Sequence, residues 1–151
     1  MAKALTAVGA ALALLIGGLG LAVYLSRDED NLQVDNVLAE NLTKAIALSQ
    51  SQRRDVDLRR LAPFAWDRVL LVARGVGQRA ISRRLGYEWN GRLGFRTGEL
   101  FLFMRGPRAV RFADYRGLGR FAGFHVPFDT IPRRRAVLRV RDLVVRPADG
   151  A

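Results

Sequence analysis

The sequence predicts an α+β protein with an N-terminal transmembrane helix, an amphipathic stalk helix, and then a small, mostly antiparallel sheet with one short helix. Three observations lead to this prediction. An uncharged apolar run opens the chain, a polar segment of helical periodicity follows, and the remainder alternates short apolar runs with glycine and proline breaks. The length of 151 residues allows one compact domain after the two helices.

The apolar run at residues 4–25 has no charged side chain. Its 22 residues, at about 1.5 Å each in a helix, are long enough to cross a hydrocarbon core of about 30 Å. Lys3 lies before the run, and Tyr24 and Arg27 lie at its end, as interfacial anchors do. The competing interpretation is a cleaved signal peptide, whose apolar core is shorter and whose small-x-small cleavage motif is poorly matched by residues 22–26.

We therefore expect residues 1–26 to be an uncleaved, single-pass anchor in the cell membrane of a bacterium. Positive charge is nearly equal on the two sides of the run, so charge alone does not orient it. Single N-terminal spans more often leave their N-terminus in the cytoplasm, which favours an extracytoplasmic C-terminal domain. Gly9, Ala13 and Gly17 have a spacing that suits helix pairing, although a run so rich in glycine and alanine also produces it by chance.

Residues 27–54 are the predicted helical stalk or linker. Asp30 and Gln33 have the spacing of a capping box. Beyond them, apolar and small side chains repeat along one helical face, namely Val34, Leu38, Leu42, Ala45 and Ser49. That stripe needs a covering surface, which is the following domain, a partner helix or the membrane. The segment is thus either a short stalk or an added helix of the domain.

A basic α+β domain is predicted over residues 55–147, with a tail at 148–151. Residues 67–73 are rich in apolar and β-branched side chains, which predicts a buried strand. Residues 78–85 predict a short helix that ends at Gly86.

The second half of the domain predicts further strands. Residues 99–105 are apolar on both faces, which predicts a central strand, and a glycine–proline break turns the chain into a partner strand at 108–115. Residues 136–146 predict a single closing strand. The connection between the last two strands, residues 116–135, is predicted to be long and irregular, and long unstructured connections in small domains are often functional or mobile.

Charge divides the chain unevenly. Residues 1–52 contain three basic and five acidic side chains, a net charge of −2. Residues 53–151 contain 22 basic and nine acidic side chains, a net charge of +13, and every basic residue there is arginine. A GC-rich genome explains arginine in place of lysine but not the excess over acid. A domain this basic attracts polyanions such as nucleic acid, anionic lipid headgroups or acidic envelope polymers.

The composition excludes most recognisable catalytic chemistry. The chain has no cysteine, which excludes disulfides, thiolate metal sites and cysteine nucleophiles. Its one histidine, His125, excludes paired-histidine metal sites and leaves a catalytic triad without support. We predict no enzyme, no cofactor and no metal.

Three features have the form of a site but have simpler explanations. Residues 75–80 follow the G-x-G-x-x-A pattern of dinucleotide-binding loops, but no second parallel strand follows, so a tight strand-to-helix turn is the better interpretation. His125 lies among aromatic residues, where packing is more common than base catalysis. Asp55 with Asp57, or Asp67 with Glu88, could form a carboxylate pair, but nothing in the spacing fixes the separation on which glycosidase chemistry depends.

A Trp-Asp-x-Val strand, a short helix that ends in Leu-Gly, and an apolar hairpin follow one another between residues 58 and 115. The positions involved are Phe64, Trp66, Asp67, Val69, Leu85, Gly86, Trp89 and residues 100–103. This order resembles a set of small bacterial membrane-anchored envelope proteins. Those proteins commonly have a Gly-Pro-Tyr-Thr turn where this chain has Arg-Gly-Val-Gly at residues 74–77. The motifs concern packing, so the resemblance implies a location and a fold but supplies no activity.

The candidate site is the long connection. Its anion-binding candidates are Arg116, Arg120, Arg133, Arg134 and Arg135, and its aromatic candidates are Tyr115, Phe121 and Phe124. Because arginine neutralises phosphates and exposed aromatic rings stack on bases, these side chains together would form a polyanion groove. The alternative is that the aromatic rings belong to the core and the arginines to a solvated face.

These observations predict a membrane-anchored envelope protein that serves as a binding or structural module for an anionic partner or a protein complex. The alternative is a membrane-tethered nucleic-acid-binding protein. An anionic lipid, envelope polymer or nucleic acid would bind the basic domain, whereas a protein partner would bind the transmembrane or stalk helix.

Overall fold

The computed structural model describes residues 35–91 and 98–148. Contacts divide the chain into two units, and all described residues belong to the second, Leu32–Ala151. The predicted membrane anchor at residues 1–26 and the predicted capping box at residues 30–33 lie outside the described residues. Among the helices that are described, none is both long enough and apolar enough to cross a membrane.

The described residues form three α-helices, eight strands and one 3₁₀ helix. In chain order they are α1 (Asn36–Gln52), β1 (Val56–Asp57), α2 (Leu58–Leu61), β2 (Arg68–Val72), α3 (Gln78–Leu85), β3 (Leu100–Arg105), β4 (Arg108–Asp114), β5 (Arg120–Phe121), β6 (Phe128–Pro132), the 3₁₀ helix (Arg133–Arg135), β7 (Val137–Arg141) and β8 (Val144–Pro147).

The strands form two four-stranded sheets. The first sheet has the strand order β4-β3-β2-β6, and all its neighbouring strands are antiparallel. The second sheet has the order β1-β7-β8-β5, in which β5 and β8 are parallel and the other pairs antiparallel. The predicted α+β class with mostly antiparallel strands is confirmed. The prediction of a single sheet is wrong, because the chain folds into two.

Successive side chains of the central strands point to opposite faces of the first sheet. Both faces are buried, because each packs against other elements of the domain. On one face, Val69, Leu71, Phe101 and Phe103 share a core with residues of the second sheet and of α1. On the other face, the alternate residues of the same strands pack with Ile81 of α3 and with Trp89, and these alternate residues are Leu70, Val72, Leu100, Leu102 and Met104. The two-faced burial explains why the central strands are apolar along their whole length.

α1 packs on the same core as the two sheets. Leu42 and Ile46 are buried there. At its start, the Asp35 carboxylate accepts the Leu38 N–H at 2.9 Å and forms an ion pair with Arg111 of β4 at 2.8 Å. The segment predicted as a stalk or linker is therefore packed against the domain as an added helix.

The elements predicted between residues 67 and 115 agree with β2, α3 and the β3–β4 hairpin. α3 ends where Gly86 adopts a positive φ of 80° and its N–H bonds to the Ser82 carbonyl, a conformation that glycine adopts without strain. Ile81 is buried, while Arg79 and Arg83 point to solvent.

Two predictions for the last third of the chain are wrong. The segment 136–146 is not one strand, because Asp142 and Leu143 form a tight turn, both with positive φ, between β7 and β8. The connection 116–135 is not irregular, because it contains β5, β6 and the 3₁₀ helix. β6 completes the first sheet by pairing with β2 over five residues.

Candidate anion-binding surface

Four strand ends meet at one end of the first sheet. Arg68, at the start of β2, lies opposite Met104 on one side and Pro132 on the other, and Arg105 lies opposite Arg108 across the β3–β4 turn. Neighbouring strands are about 4.8 Å apart, so the four strands span about 15 Å. Six arginines lie along this end, and we call them the arginine row: Arg68, Arg105, Arg108, Arg133, Arg134 and Arg135.

Asp67 holds the arginine row together. Its carboxylate forms an ion pair with Arg68 at 2.8 Å and accepts the Gly106 N–H of the β3–β4 turn. Its backbone carbonyl accepts the Arg133 N–H at 2.8 Å, which fixes the start of the 3₁₀ helix. Because the Asp67 carboxylate is already shared between an ion pair and a turn, it does not neutralise the remaining arginines of the row.

Arg133 is the half-buried member of the row. Its guanidinium lies 5.0 Å from the centre of the Trp66 ring, and its Nη1 donates to the Trp66 carbonyl at 3.2 Å. Trp66 is itself buried and donates its ring N–H to the Ala62 carbonyl at 2.8 Å. Arg133 therefore packs against the domain, whereas Arg134 and Arg135 extend into solvent.

Most of the arginine excess is free to act on solvent ions. Ion pairs with acidic residues engage six arginines, namely Arg59, Arg68, Arg111, Arg116, Arg139 and Arg141, the last two with the same carboxylate. Across residues 35–91 and 98–148, twelve exposed arginines have no ion pair with another described residue: Arg53, Arg54, Arg60, Arg74, Arg79, Arg83, Arg84, Arg105, Arg120, Arg134, Arg135 and Arg146. Three of them, Arg105, Arg134 and Arg135, belong to the arginine row.

The predicted arginine candidates are divided between two places. Arg133, Arg134 and Arg135 belong to the arginine row, next to the first sheet. Arg116 follows β4 and lies 3.5 Å from the Asp114 carboxylate, and Arg120 is in β5, the edge strand of the second sheet.

The predicted aromatic candidates come together, but in the core. Tyr115 is fully buried, and Phe121 and Phe124 are partly buried against the same core. The Phe121 ring lies 5.3 Å from Tyr115, 5.7 Å from Phe101 and 5.9 Å from Phe124. These contacts make the three rings a packing group, and the aromatic ring beside an arginine of the row is Trp66.

Tyr115 also has a perturbed hydroxyl. The hydroxyl donates to the Leu118 carbonyl at 2.6 Å. Burial, and secondarily the negative charge of Glu99, raises the pKa of Tyr115 to about 12. The side chain therefore stays neutral at physiological pH and fixes the loop that follows β4.

The remaining candidate features have structural partners. Residues 75–80 form the turn into α3, with Gly77 at the helix cap. His125 is exposed, and its backbone N–H donates to the Asp129 carboxylate at 3.2 Å. The hydrogen bond from Arg59 to Asp57 lowers the pKa of the Asp57 carboxyl. Among the described residues, no three potential metal ligands cluster together.

Sequence reasoning missed half of the arginine row. Arg105 and Arg108 flank the β3–β4 turn, and Arg68 begins a buried strand. Each is a single charge at the end of an apolar segment, which also occurs at ordinary strand ends. Only the register across four strands brings them beside the Arg133–Arg135 triplet.

The geometry defines a basic α+β domain with a cationic end on its first sheet. Comparisons of this chain with protein families, curated proteins and solved structures found no match. What the domain binds therefore has to follow from its own side chains.

Proposed function

We propose that this chain is a membrane-anchored binding module for a polyanionic partner, and that the arginine row is its binding surface. The observation that supports this most directly is the alignment of six arginines along one end of a four-stranded sheet, where the nearby Asp67 carboxylate is already engaged. Arg105, Arg134 and Arg135 are exposed and form no ion pair with a described residue, so they can contact phosphates or carboxylates of a partner.

The arginine row is suited to repeated charges. Its members lie at the ends of neighbouring strands of one sheet. Several of them can therefore contact successive phosphates of the same polymer at once. Each contact releases counterions, so affinity falls steeply as salt rises. Because the aromatic candidates pack in the core, we expect recognition of charge without the base stacking that a nucleic-acid-binding protein would use.

The membrane anchor and the envelope location belong to the same proposal. The uncharged run at residues 4–25 and the motif resemblance to envelope proteins support them. The full-length chain should stay with membranes through alkaline carbonate washing and retain its N-terminus by intact mass. A reporter fused after Ala151 should be active only outside the cytoplasm. A mature N-terminus near Ser26, or a reporter active in the cytoplasm, would contradict these parts of the proposal.

Binding is tested with the full-length chain in a neutral detergent. Long-chain polyphosphate and duplex DNA are the two probes, titrated over a range of salt concentrations. We expect the triple variant Arg105→Gln, Arg134→Gln, Arg135→Gln to bind both probes more weakly. On DNA, the slope of log K against log salt should decrease by about 0.9 for each phosphate contact removed.

The matched control removes three arginines from α3 instead: Arg79→Gln, Arg83→Gln, Arg84→Gln. Both variants lose the same charge, and all six side chains are exposed. Equal losses from the two variants would show a generic basic surface and contradict a site at the arginine row. A strong preference for duplex DNA over polyphosphate would favour the nucleic-acid-binding alternative.

A further inference from the structure

Two exposed leucines lie side by side at the opposite end of β7 from the arginine row. Leu118 is 82% exposed and Leu143 is 51% exposed. They border the same cavity of about 410 Å³, and the Arg120 N–H, two residues after Leu118, donates to the Leu143 carbonyl at 2.8 Å. We call this pair of leucines and their turns the leucine tip.

The leucine tip is held rigidly. The Tyr115 hydroxyl bonds to the Leu118 carbonyl at 2.6 Å, and the Leu143 N–H bonds to the Gln50 side chain of α1 at 3.1 Å. Gly117 packs directly on the Tyr115 ring, where a Cβ atom would collide with it. The two leucines are therefore supported from the core and held out into solvent by it.

The backbone conformation of Leu143 costs free energy. Its φ is 59°, in the left-handed region, where glycine or asparagine is favoured in a tight turn. A large apolar side chain that is both exposed and backbone-strained is a feature that functional sites often show. An ordinary turn would have glycine at this position.

Three arginines, Arg53, Arg116 and Arg120, belong to the segments that form or contact the leucine tip. Arg120 is exposed in β5, and Arg53 is exposed at the end of α1, where its carbonyl accepts from Arg141 at 3.3 Å. Neither Arg53 nor Arg120 has an ion pair with a described residue. Arg116, which is paired with Asp114 at 3.5 Å, borders the same cavity as the leucines. Asp142 is the acidic neighbour in the turn and reduces this positive charge without cancelling it.

We propose that the leucine tip is a docking surface for an anionic lipid bilayer. Leu118 and Leu143 would insert among the headgroups, while Arg53 and Arg120 contact lipid phosphates. An anionic bilayer has negatively charged headgroups above an apolar hydrocarbon layer. Protruding leucines with arginines beside them can contact both layers. A nucleic acid would supply phosphates for the arginines but no apolar layer in which the leucines could be buried. The proposal does not depend on the arginine row, whose side chains lie beyond the start of β7.

The absence of cysteine from the chain makes a site-specific test possible. The full-length Leu118→Cys variant is labelled with a polarity-sensitive fluorophore and placed in lipid nanodiscs. We expect blue-shifted emission and quenching by lipid-borne quenchers in discs of about one-third phosphatidylglycerol, and aqueous emission in discs of phosphatidylcholine alone. Adding Arg53→Gln and Arg120→Gln should lower the docked fraction relative to the undocked one roughly fivefold per arginine.

Val126→Cys is the matched label control, because Val126 is apolar and 79% exposed in a different loop. It should report water in both kinds of disc. Arg79→Gln with Arg83→Gln is the matched charge control and should leave the signal at position 118 unchanged.

Two outcomes would overturn the proposal. One is aqueous emission at position 118 in anionic discs. The other is a blue shift that grows with protein concentration in detergent without lipid, since it would show that the leucines pack against a second copy of the chain. Leu143→Ser separates this surface from the arginine row, because it should weaken docking and leave polyphosphate binding intact.

Discussion

Individual arginines of the same triplet have different roles. Arg133 stacks on Trp66 and bonds to its carbonyl, while Arg134 and Arg135 touch solvent. An isolated sequence of three arginines does not reveal this difference, because it depends on the 3₁₀ turn that follows Pro132. At residue scale, the triplet is thus one packing side chain and two available charges. This is why the test variant of the arginine row leaves Arg133 in place.

Tyr115 gives the residue-scale prediction. Its pKa in the folded state is about 12, against an ordinary value of 10.0. The native state therefore holds the phenol proton more tightly than the unfolded state, so the Tyr115 contribution is complete below pH 10 and is lost as the pH rises towards 12. We expect the free energy of unfolding to fall across this interval, and tyrosinate absorbance to show a late ionisation that belongs to Tyr115.

The control is Tyr115→Phe. It should lose the late ionisation and the associated pH dependence. It should also be less stable at neutral pH by about 1 kcal/mol, because the hydrogen bond to the Leu118 carbonyl is removed. A tyrosinate titration that Tyr115→Phe leaves unchanged above pH 10 would contradict the buried environment of Tyr115.

At the scale of elements, the sequence predicts strands well where a break is chemically marked. The β3–β4 hairpin has Gly106 and Pro107 at its turn, and α3 has Gly86 at its end. The β7–β8 hairpin has neither, because Asp142 and Leu143 occupy positive φ without a glycine. The apolar pattern of residues 136–146 therefore reads as one strand. β6 is missed for another reason: as an edge strand that contains aspartate and proline, it has little apolar alternation.

The β7–β8 turn gives the element-scale prediction. We expect Leu143→Gly to be about 1 kcal/mol more stable than Leu143→Ala, because glycine adopts a φ of 59° without steric cost while alanine retains the strain. Both variants remove the leucine side chain, so their difference isolates the backbone. Urea unfolding followed by the fluorescence of the buried Trp66 and Trp89 measures it. Equal stabilities would mean that the turn relaxes to negative φ.

At the scale of the whole molecule, local patterns predict the class of fold but not how distant segments meet. The periodicity of α1 shows a buried stripe, yet the surface that covers it is formed by both sheets. The arginine row likewise depends on the alignment of β2, β3, β4 and β6, which are separated by up to 64 residues of chain between Arg68 and Pro132. The sequence shows which residues are charged, but the tertiary fold determines which of these charges lie close together.

The packing of α1 gives the prediction for the whole molecule. Leu42 is 1% exposed, so Leu42→Ala should lower the free energy of unfolding by about 2–5 kcal/mol. Leu48 lies on the same helix but is 55% exposed, and Leu48→Ala should change stability by no more than about 0.5 kcal/mol. Both are measured by urea unfolding. Equal, small effects would indicate a helix detached from the domain.

The contact between the start of α1 and β4 has a consequence for self-association. The Asp35 N–H donates to the Phe112 carbonyl at 3.0 Å, on a strand whose register is already interrupted between Phe103 and Met104 of its partner. An exposed strand edge is a template on which another chain can add. Here Asp35 occupies one hydrogen-bonding position on the β4 edge of the first sheet, and the other edge, β6, ends in a proline that has no N–H to offer. Copies of this domain at high concentration should therefore resist adding strands to the first sheet.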